Sequence, residues 1–523
     1  MNISKIICNF AIYNLRSMKI SKYLKYIVLG LFLGVMVLPV EAQKVIEYEA
    51  GLGTRDVNDA DVWILYKRVH ATHDSMDLYA DSAHLNTVKN DFKAFGDIRI
   101  DITDTTAIYG DILYYNGETR VAEIWADTVV MVDGETVLWS DYLRYDRNSG
   151  DATYHTWGHT TNGNRILDSK KGRYNSNEKV FYINEEVMLS NEDSQLTTDT
   201  LIYNTNTHIA EFFDSTIIVS DSATIWSDKG WYNTEIKKAE SVLGSRIESG
   251  ARTLICDTLL YYENIEFGKA YGNVEIRDTA NAALCYGGYA ESHKALRKSM
   301  LTDSALVIYI DGQDSVWMHA DTITVVNKES DGVEWVDAAH HVKFYRESMQ
   351  GMCDSMFYDG LDSVVEMYKT PVLWGEGYQC TSDTIFVSHD SAGLHIAYLK
   401  TECMAIEQLD SEKFNQLKGK QGEVYFKDNN PDYANIIGNA EMVYYVTEND
   451  SVGGQALIGV NVGIGAWMRI YFRGKEPSKV ITYENPDMYT YPWGQLPAEK
   501  KRLVGFEWYG VRKPLCWQDV FVW

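Results

Sequence analysis

An aspartate followed four residues later by a tyrosine recurs along this chain at a nearly constant step, and few folds accommodate such a period. Gly110-Asp111-Ile112-Leu113-Tyr114-Tyr115 is one copy and Ser140-Asp141-Tyr142-Leu143-Arg144-Tyr145 the next. Thr198-Asp199-Thr200-Leu201-Ile202-Tyr203 and Cys256-Asp257-Thr258-Leu259-Leu260-Tyr261 repeat the pattern. The anchors fall at 81, 111, 141, 170, 199, 228, 257 and 286, with Lys170 and Tyr286 in place of the aspartate. Their steps are 29 or 30 residues, and later anchors at 321, 354 and 383 step by 35, 33 and 29. A degenerate copy lies near Gly422.

Within a unit, positions −3, −1, +2 and +4 from the anchor are apolar or small, as in Leu254, Cys256, Leu259 and Tyr261. Alternation at spacing two predicts a strand with one buried face. The jump of three across the anchor predicts a bend at the same place in every unit. Second-half segments such as Gly272–Arg277 and Asp214–Val219 supply further strands, and turns rich in Asn, Asp and Gly separate them. Only Pro371 lies between Lys44 and Asn430, which suits a sheet, because proline cannot donate to a ladder. The expected fold is all-β: an extended, repetitive antiparallel roll, solenoid-like, in which each unit contacts its neighbours. The expected divisions are a leader at 1–42, a lead-in at 43–70, regular repeats at 71–300, repeats with longer loops at 301–455, and a C-terminal strand with a short irregular Pro/Trp-containing tail at 456–523. Residues 455–470, apolar and glycine-rich, read either as a last strand or as a docking edge.

Charge narrows the partners. Lys and Arg total 48 against 74 Asp and Glu, a net −26. That balance excludes a nucleic-acid binder and docking on anionic headgroups by charge alone. Tyr26 to Pro39 is an apolar run behind Lys19, Lys22 and Lys25, ending in Val40-Glu41-Ala42. This is a signal-peptide layout, with Met18 a natural start. It predicts an exported chain without an integral span, the alternative being an uncleaved anchor. Six cysteines follow the leader: Cys256, Cys285, Cys353, Cys380, Cys403 and Cys516. None forms a C-x-x-C pair; an exported compartment permits disulfides, while their place in the repeat reads as small buried fillers.

The unit Leu254-Ile-Cys-Asp-Thr-Leu-Leu-Tyr-Tyr262, followed by Lys269-Ala-Tyr-Gly-Asn-Val-Glu-Ile-Arg-Asp278, resembles that of OstA-like proteins. These are periplasmic lipopolysaccharide-transport proteins similar to LptA and to the N-terminal domain of LptD. Asn485-Pro-Asp-Met-Tyr-Thr-Tyr-Pro492, Leu503-Val-Gly-Phe-Glu-Trp508 and Arg512-Lys-Pro514 resemble the tail of long Bacteroidetes members. The resemblance covers roughly 45–515. Too few alternating strands follow 430 for an outer-membrane barrel. The resemblance implies an antiparallel β-jelly roll, V-shaped in section. Its apolar interior would take the acyl chains of lipopolysaccharide or lipo-oligosaccharide, and its end strands would pair with other Lpt-type jelly rolls. Leaving one twelve-carbon chain in water costs about 10 kcal/mol, which is the reason for such a trough.

Candidate trough residues are the +2 and +4 side chains Leu113, Tyr115, Leu143, Tyr145, Leu201, Tyr203, Leu259, Tyr261, Met356 and Tyr358. The alternative for each is closed core. The small −1 residues Gly110, Ser140, Thr198, Ser227, Cys256, Cys285 and Cys353 either leave a groove open or permit the corner. The anchors Asp111, Asp141, Asp199, Asp257, Asp354 and Asp383 read as caps of the bend, through backbone N–H groups. An enzyme is not expected, because the acids are spread evenly instead of clustered. No cofactor or metal is expected either: His70-x-x-His73 and His340-His341 lack a third ligand nearby. Asp-[Ser/Thr]-apolar triplets, such as Asp314-Ser-Val316 and Asp362-Ser-Val364, look like O-glycosylation acceptors, though most coincide with the bend motif. The rival to a lipid conduit is an envelope scaffold or surface adhesin with a packed interior.

Overall fold

The computed structural model describes residues 45–523 apart from 313, 330–331, 376, 391–392, 450–454 and 475. The leader read at 1–42 therefore lies outside the described residues. The chain packs as two units. One runs to Met131 and includes Arg144–Asn148; the other comprises Val132–Leu143 and Ser149–Trp523. Both are built from antiparallel strands, as the alternation requires.

In the larger unit the long strands bend in the middle. Val180–Ser190 pairs with Ser194–Asn204 from both ends, with a break between Asn184 and Val187. Its first half then pairs with Lys171–Asn175 and its second half with Arg165–Ser169. Each bent strand thus feeds two separate ladders. One, here wall A, continues through Ile209–Phe212, Lys229–Asn233, Lys238–Leu243 and Thr258–Tyr262. The other, wall B, continues through Thr216–Ser220, Thr224–Ser227, Ser245–Ser249 and Arg252–Cys256. Phe267–Asp278 rejoins the two.

The corner between the walls is made by pairs of left-handed residues. Glu185–Glu186, Gly272–Asn273, Asp303–Ser304, His340–His341 and Thr401–Glu402 all have φ between 44° and 71°. Two such residues oppose one anchor, the geometry of a bulge, and this supplies the phase jump seen in the sequence. The left-handed region costs a non-glycine residue about 1–2 kcal/mol. Ladder pairing on both sides of the corner holds it there. Gly272 is required for a second reason: a Cβ on it would lie 2.3 Å from Asp257 Oδ2.

Wall A ends in stacked Asx turns. Asn175 Oδ1 accepts from the N–H groups of Asn177 and Glu178, and Asn204 and Asn233 do the same two and three residues on. The next residue donates to the turn of the preceding unit, as in Thr205 N–H to Lys179 O and Thr234 N–H to His208 O. The glycine-rich piece is an interior strand. Gln455–Arg473 pairs with Asn430–Asn449 on one side and with Glu476–Tyr483 and Asp487–Tyr491 on the other.

Candidate functional site

The residues facing the corner's interior form rungs across both walls. Leu113, Tyr115, Leu143, Tyr145, Leu201, Tyr203 and Leu259 are no more than 3% exposed. Tyr261, Met356 and Tyr358 are half-buried. The ten side chains therefore divide into a closed set and an open set.

Closure has a visible cause. The +4 position is tyrosine in successive copies: Tyr115, Tyr145, Tyr174, Tyr203, Tyr232 and Tyr261. Its ring fills the space between the walls and its hydroxyl reaches the turn ends. In the unit that runs to Met131, Tyr115 Oη meets His73 Nδ1 at 2.7 Å and Arg120 pairs with Asp74 at 2.8 Å. Arg147 also donates to the carbonyl of Asp74. In the larger unit Tyr174 Oη donates to Asp133 at 2.6 Å, and Lys179 Nζ donates to both oxygens of the same carboxylate. Arg165 donates to Thr234, Lys237 to Asp193, Tyr232 to Ser194, and Ser222 to Glu263. Each pair joins a wall A turn to a wall B turn, so the edges of the two walls are latched together. Burial pushes the Tyr154 and Tyr232 hydroxyls up to about 12 and raises those of Tyr115, Tyr174 and Tyr203 as well. These buried tyrosines are therefore neutral at physiological pH.

Among the described residues the turn-end pairs beyond Glu263 join neighbours on one wall: Arg252 to Asp278, Lys294 to Glu266, and Arg297 to Glu329 and Glu334. The tyrosine rung ends at the same place. The bend that the spacing puts at Tyr286 falls two residues later, at Gly287-Gly288, which lies opposite both Gly272–Asn273 and Asp303–Ser304. A Cβ on Gly288 would lie 2.2 Å from Asp303 Oδ2, so glycine is needed there. This shift sets Ser292, not a tyrosine, on the rung with Gly268 and Ser299, followed by Val325, Val336, Tyr358 and Val365. On wall B the facing rung is Leu254, Ile276, Cys285, Val307 and Met318. Apart from Gly268 and the serines these are apolar and half-buried. Ile276, Val307, Met318, Val325, Val336 and Val365 were not singled out from sequence. The −3 phase would have found Met318, and the +4 phase Val325.

The anchors occupy the bends. Asp257 and Asp383 donate their own backbone N–H to carbonyls of the opposing bulge, Gly272 and Thr401, at 2.9 and 3.1 Å. Their carboxylates take side-chain donors where these are near: Asn273 on Asp257, Thr156 on Asp141, and Lys369 and His340 on Asp354. Lys369 beside Asp354 holds its carboxyl below the usual range. Asp199 faces Glu185–Glu186, and Asp111 faces Gly96–Asp97. His70 stacks on Tyr79 and bonds Asp77, and His341 bonds Asp321. Among the described residues no group of three or more His, Cys, Asp or Glu could hold a metal ion. The six described cysteines are free; burial lifts Cys285 and Cys380 to about 11, and Cys256, Cys353 and Cys403 to about 12. Such thiols are poor nucleophiles at neutral pH.

The outer face of wall B changes character along the larger unit. From Leu306 and Ile308 through Met352, Val372, Trp374, Met404, Ile406 and Phe414 to Val443, Tyr445 and Val460 it is apolar and buried. The tail covers it, running back across the strands. Leu496 packs on Val443 and Val460, Phe506 and Trp508 on Phe414, Tyr509 on Trp374, and Val520 on Leu306 and Ile308. Two buried glutamines grip its backbone. Gln416 donates to Lys501 O and accepts from Leu503 N–H, at 2.9 and 2.8 Å; Gln379 does the same with Glu507 O and Tyr509 N–H, at 2.8 and 2.7 Å. The tail is irregular, as expected, yet it is held as a strap.

Among the described residues no helix is long and apolar enough to cross a membrane. Comparison with known proteins matches the family described as OstA-like protein to residues 42–199 and 177–243. No curated protein matches the chain. Among solved structures the chain is similar to LptH of Pseudomonas aeruginosa, described as the LptA homologous periplasmic component of the conserved lipopolysaccharide transport device. The two are 13% identical over 28% of this chain and 95% of that one, with a TM-score of 0.22. The matched stretch, residues 42–243, is similar to OstA-like proteins and lies within the repeats that carry the same resemblance in sequence.

Proposed function

We propose that this protein is an exported, non-enzymatic carrier of lipopolysaccharide or lipo-oligosaccharide. It shelters acyl chains between its two walls and hands them on within the periplasm, joined to other jelly rolls through its end strands. One observation carries the reading: among the described residues the latch and the tyrosine rung stop together near Glu263, and beyond them the rungs nearest the edges, Ile276 to Met318 and Val325 to Val365, are partly exposed while Leu301, Ile323 and Ala338 nearer the corner stay buried. An interior built only to fill space would stay closed there, because exposed apolar rungs forgo about 25 cal/mol for each Å² left in water. An acyl chain laid along Ile276, Met318, Val336 and Tyr358 would recover that energy. The closed rungs from Leu113 to Tyr203 suit structural filling, so the lipid contact belongs to Tyr261, Met356 and Tyr358 among the ten candidates.

Photo-crosslinking tests this. With p-benzoylphenylalanine at Met318, Tyr358 or Leu201 in cells, lipopolysaccharide adducts form at Met318 and Tyr358 and stay at background at Leu201. Folded protein without adducts at the first two positions would favour the envelope-scaffold reading.

A further inference from the structure

We propose that the C-terminal strap is an external splint that keeps the unlatched walls apart, with Gln379 and Gln416 as its positioning residues. This rests on the carrier reading above. Where the walls are latched, paired turn ends fix their separation. Past Glu263 the described turn-end pairs join within one wall, and two facing apolar rungs have every reason to collapse together. Wall B there is a single sheet layer. Its inner side carries Val307 and Met318, and its outer side carries Leu306, Ile308 and Trp317.

The strap covers that outer side over the same strands. Val520 seats on Leu306 and Ile308, Trp517 stacks on Trp317 at 4.4 Å, and Lys343 donates to the carbonyl of Val522. A layer packed on its outer face has less to gain by bending inward, since bending would break that packing. The two glutamines set where the strap lies. Each sits fully buried on the outer face and satisfies one carbonyl and one N–H of an otherwise irregular backbone. Both side-chain amides bond the strap on the outer face, so the effect they have on lipid passes through wall B.

The test is the double variant Gln379→Ala/Gln416→Ala, with Gln379→Ala alone as the milder form. Gln195→Ala serves as control: Gln195 is an exposed glutamine that bonds Met188, away from the strap. Spin labels on unnatural amino acids at Ala280 and Leu296, in the wall B and wall A turns that flank Ala283–His293, report wall separation without any lipid. The expected result is a shorter distance in the double variant, a smaller shift in Gln379→Ala and none in Gln195→Ala. The Tyr358 adduct yield should fall about tenfold as the open fraction falls. Hydrogen exchange over Val180–Asn204 should stay at the wild-type level. An unchanged distance with the strap's amides deprotected overturns the splint even if wild type forms adducts. A shortened distance in a protein that never forms adducts upholds the splint and sinks the carrier.

Discussion

Residues 149–250 and 252–365 share a repeat, a corner and a pair of walls, yet one stretch is sealed and the other is not. In the sealed stretch each copy offers a tyrosine on the rung nearest the edges, and lysine or arginine on one wall meets an acceptor on the other. In the open stretch Gly268, Ser292 and Ser299 take the tyrosine's place and the charged turn residues pair along one wall. The strands lengthen, from 11 residues at Val180–Ser190 to 14 at Lys298–Asp311, but both are bent strands paired antiparallel on either side of a corner. Whether a bent β array is a solid rod or a trough is therefore decided by one rung and the turn ends, while the fold stays constant.

The largest effect should come from the sealed interior. Leu201→Ala leaves a void among fully buried neighbours and should cost about 2–5 kcal/mol. Val325→Ala on the open rung removes a half-exposed side chain and should cost under about 1 kcal/mol. Native-state hydrogen exchange over the two regions measures both. Equal losses would mean that the open stretch is as tightly filled as the sealed one. Next comes Lys179→Met, which strips a buried carboxylate of its cation. Asp133 has a side chain 1% exposed, so about 3 kcal/mol should go from the strands around it. Tyr174→Phe removes one hydrogen bond to the same carboxylate and should cost about 2 kcal/mol, read in the same exchange experiment.

Much of this architecture was legible beforehand because it is local. The period, the phase jump at the anchor and the asparagine turns all lie within a dozen residues of one another. The latch was not legible, because its partners lie about 40 residues apart and meet only when two walls face each other. The bend at Tyr286 was misplaced because Gly287-Gly288 can host it as well as an aspartate can, and only pairing with Asp303–Ser304 fixes the choice. The strap was hidden for another reason. Ser304-Ala-Leu-Val-Ile-Tyr-Ile310 is apolar on both faces, and alternation alone cannot say which face a later segment will cover.

The smallest expected effect appears only in alkali and separates latch closure from simple burial. An unfolded tyrosine ionises near pH 10, whereas Tyr154 and Tyr232 in the folded chain are pushed up to about 12 by burial. Their folded pKa is raised, so the stability they lend is complete below pH 10 and is lost as pH climbs through 12. Ultraviolet titration should show both phenols still protonated at pH 11. Tyr232→Phe should flatten the fall in stability between pH 10 and 12 while leaving neutral pH nearly untouched, since its partners Ser194 and Glu263 are long, weak acceptors at 3.3 and 3.5 Å. A normal titration of Tyr232 near pH 10 would show that water already enters the last latched rung. The mouth would then begin before Glu263, and the boundary between sealed and open stretches would move back by a full repeat.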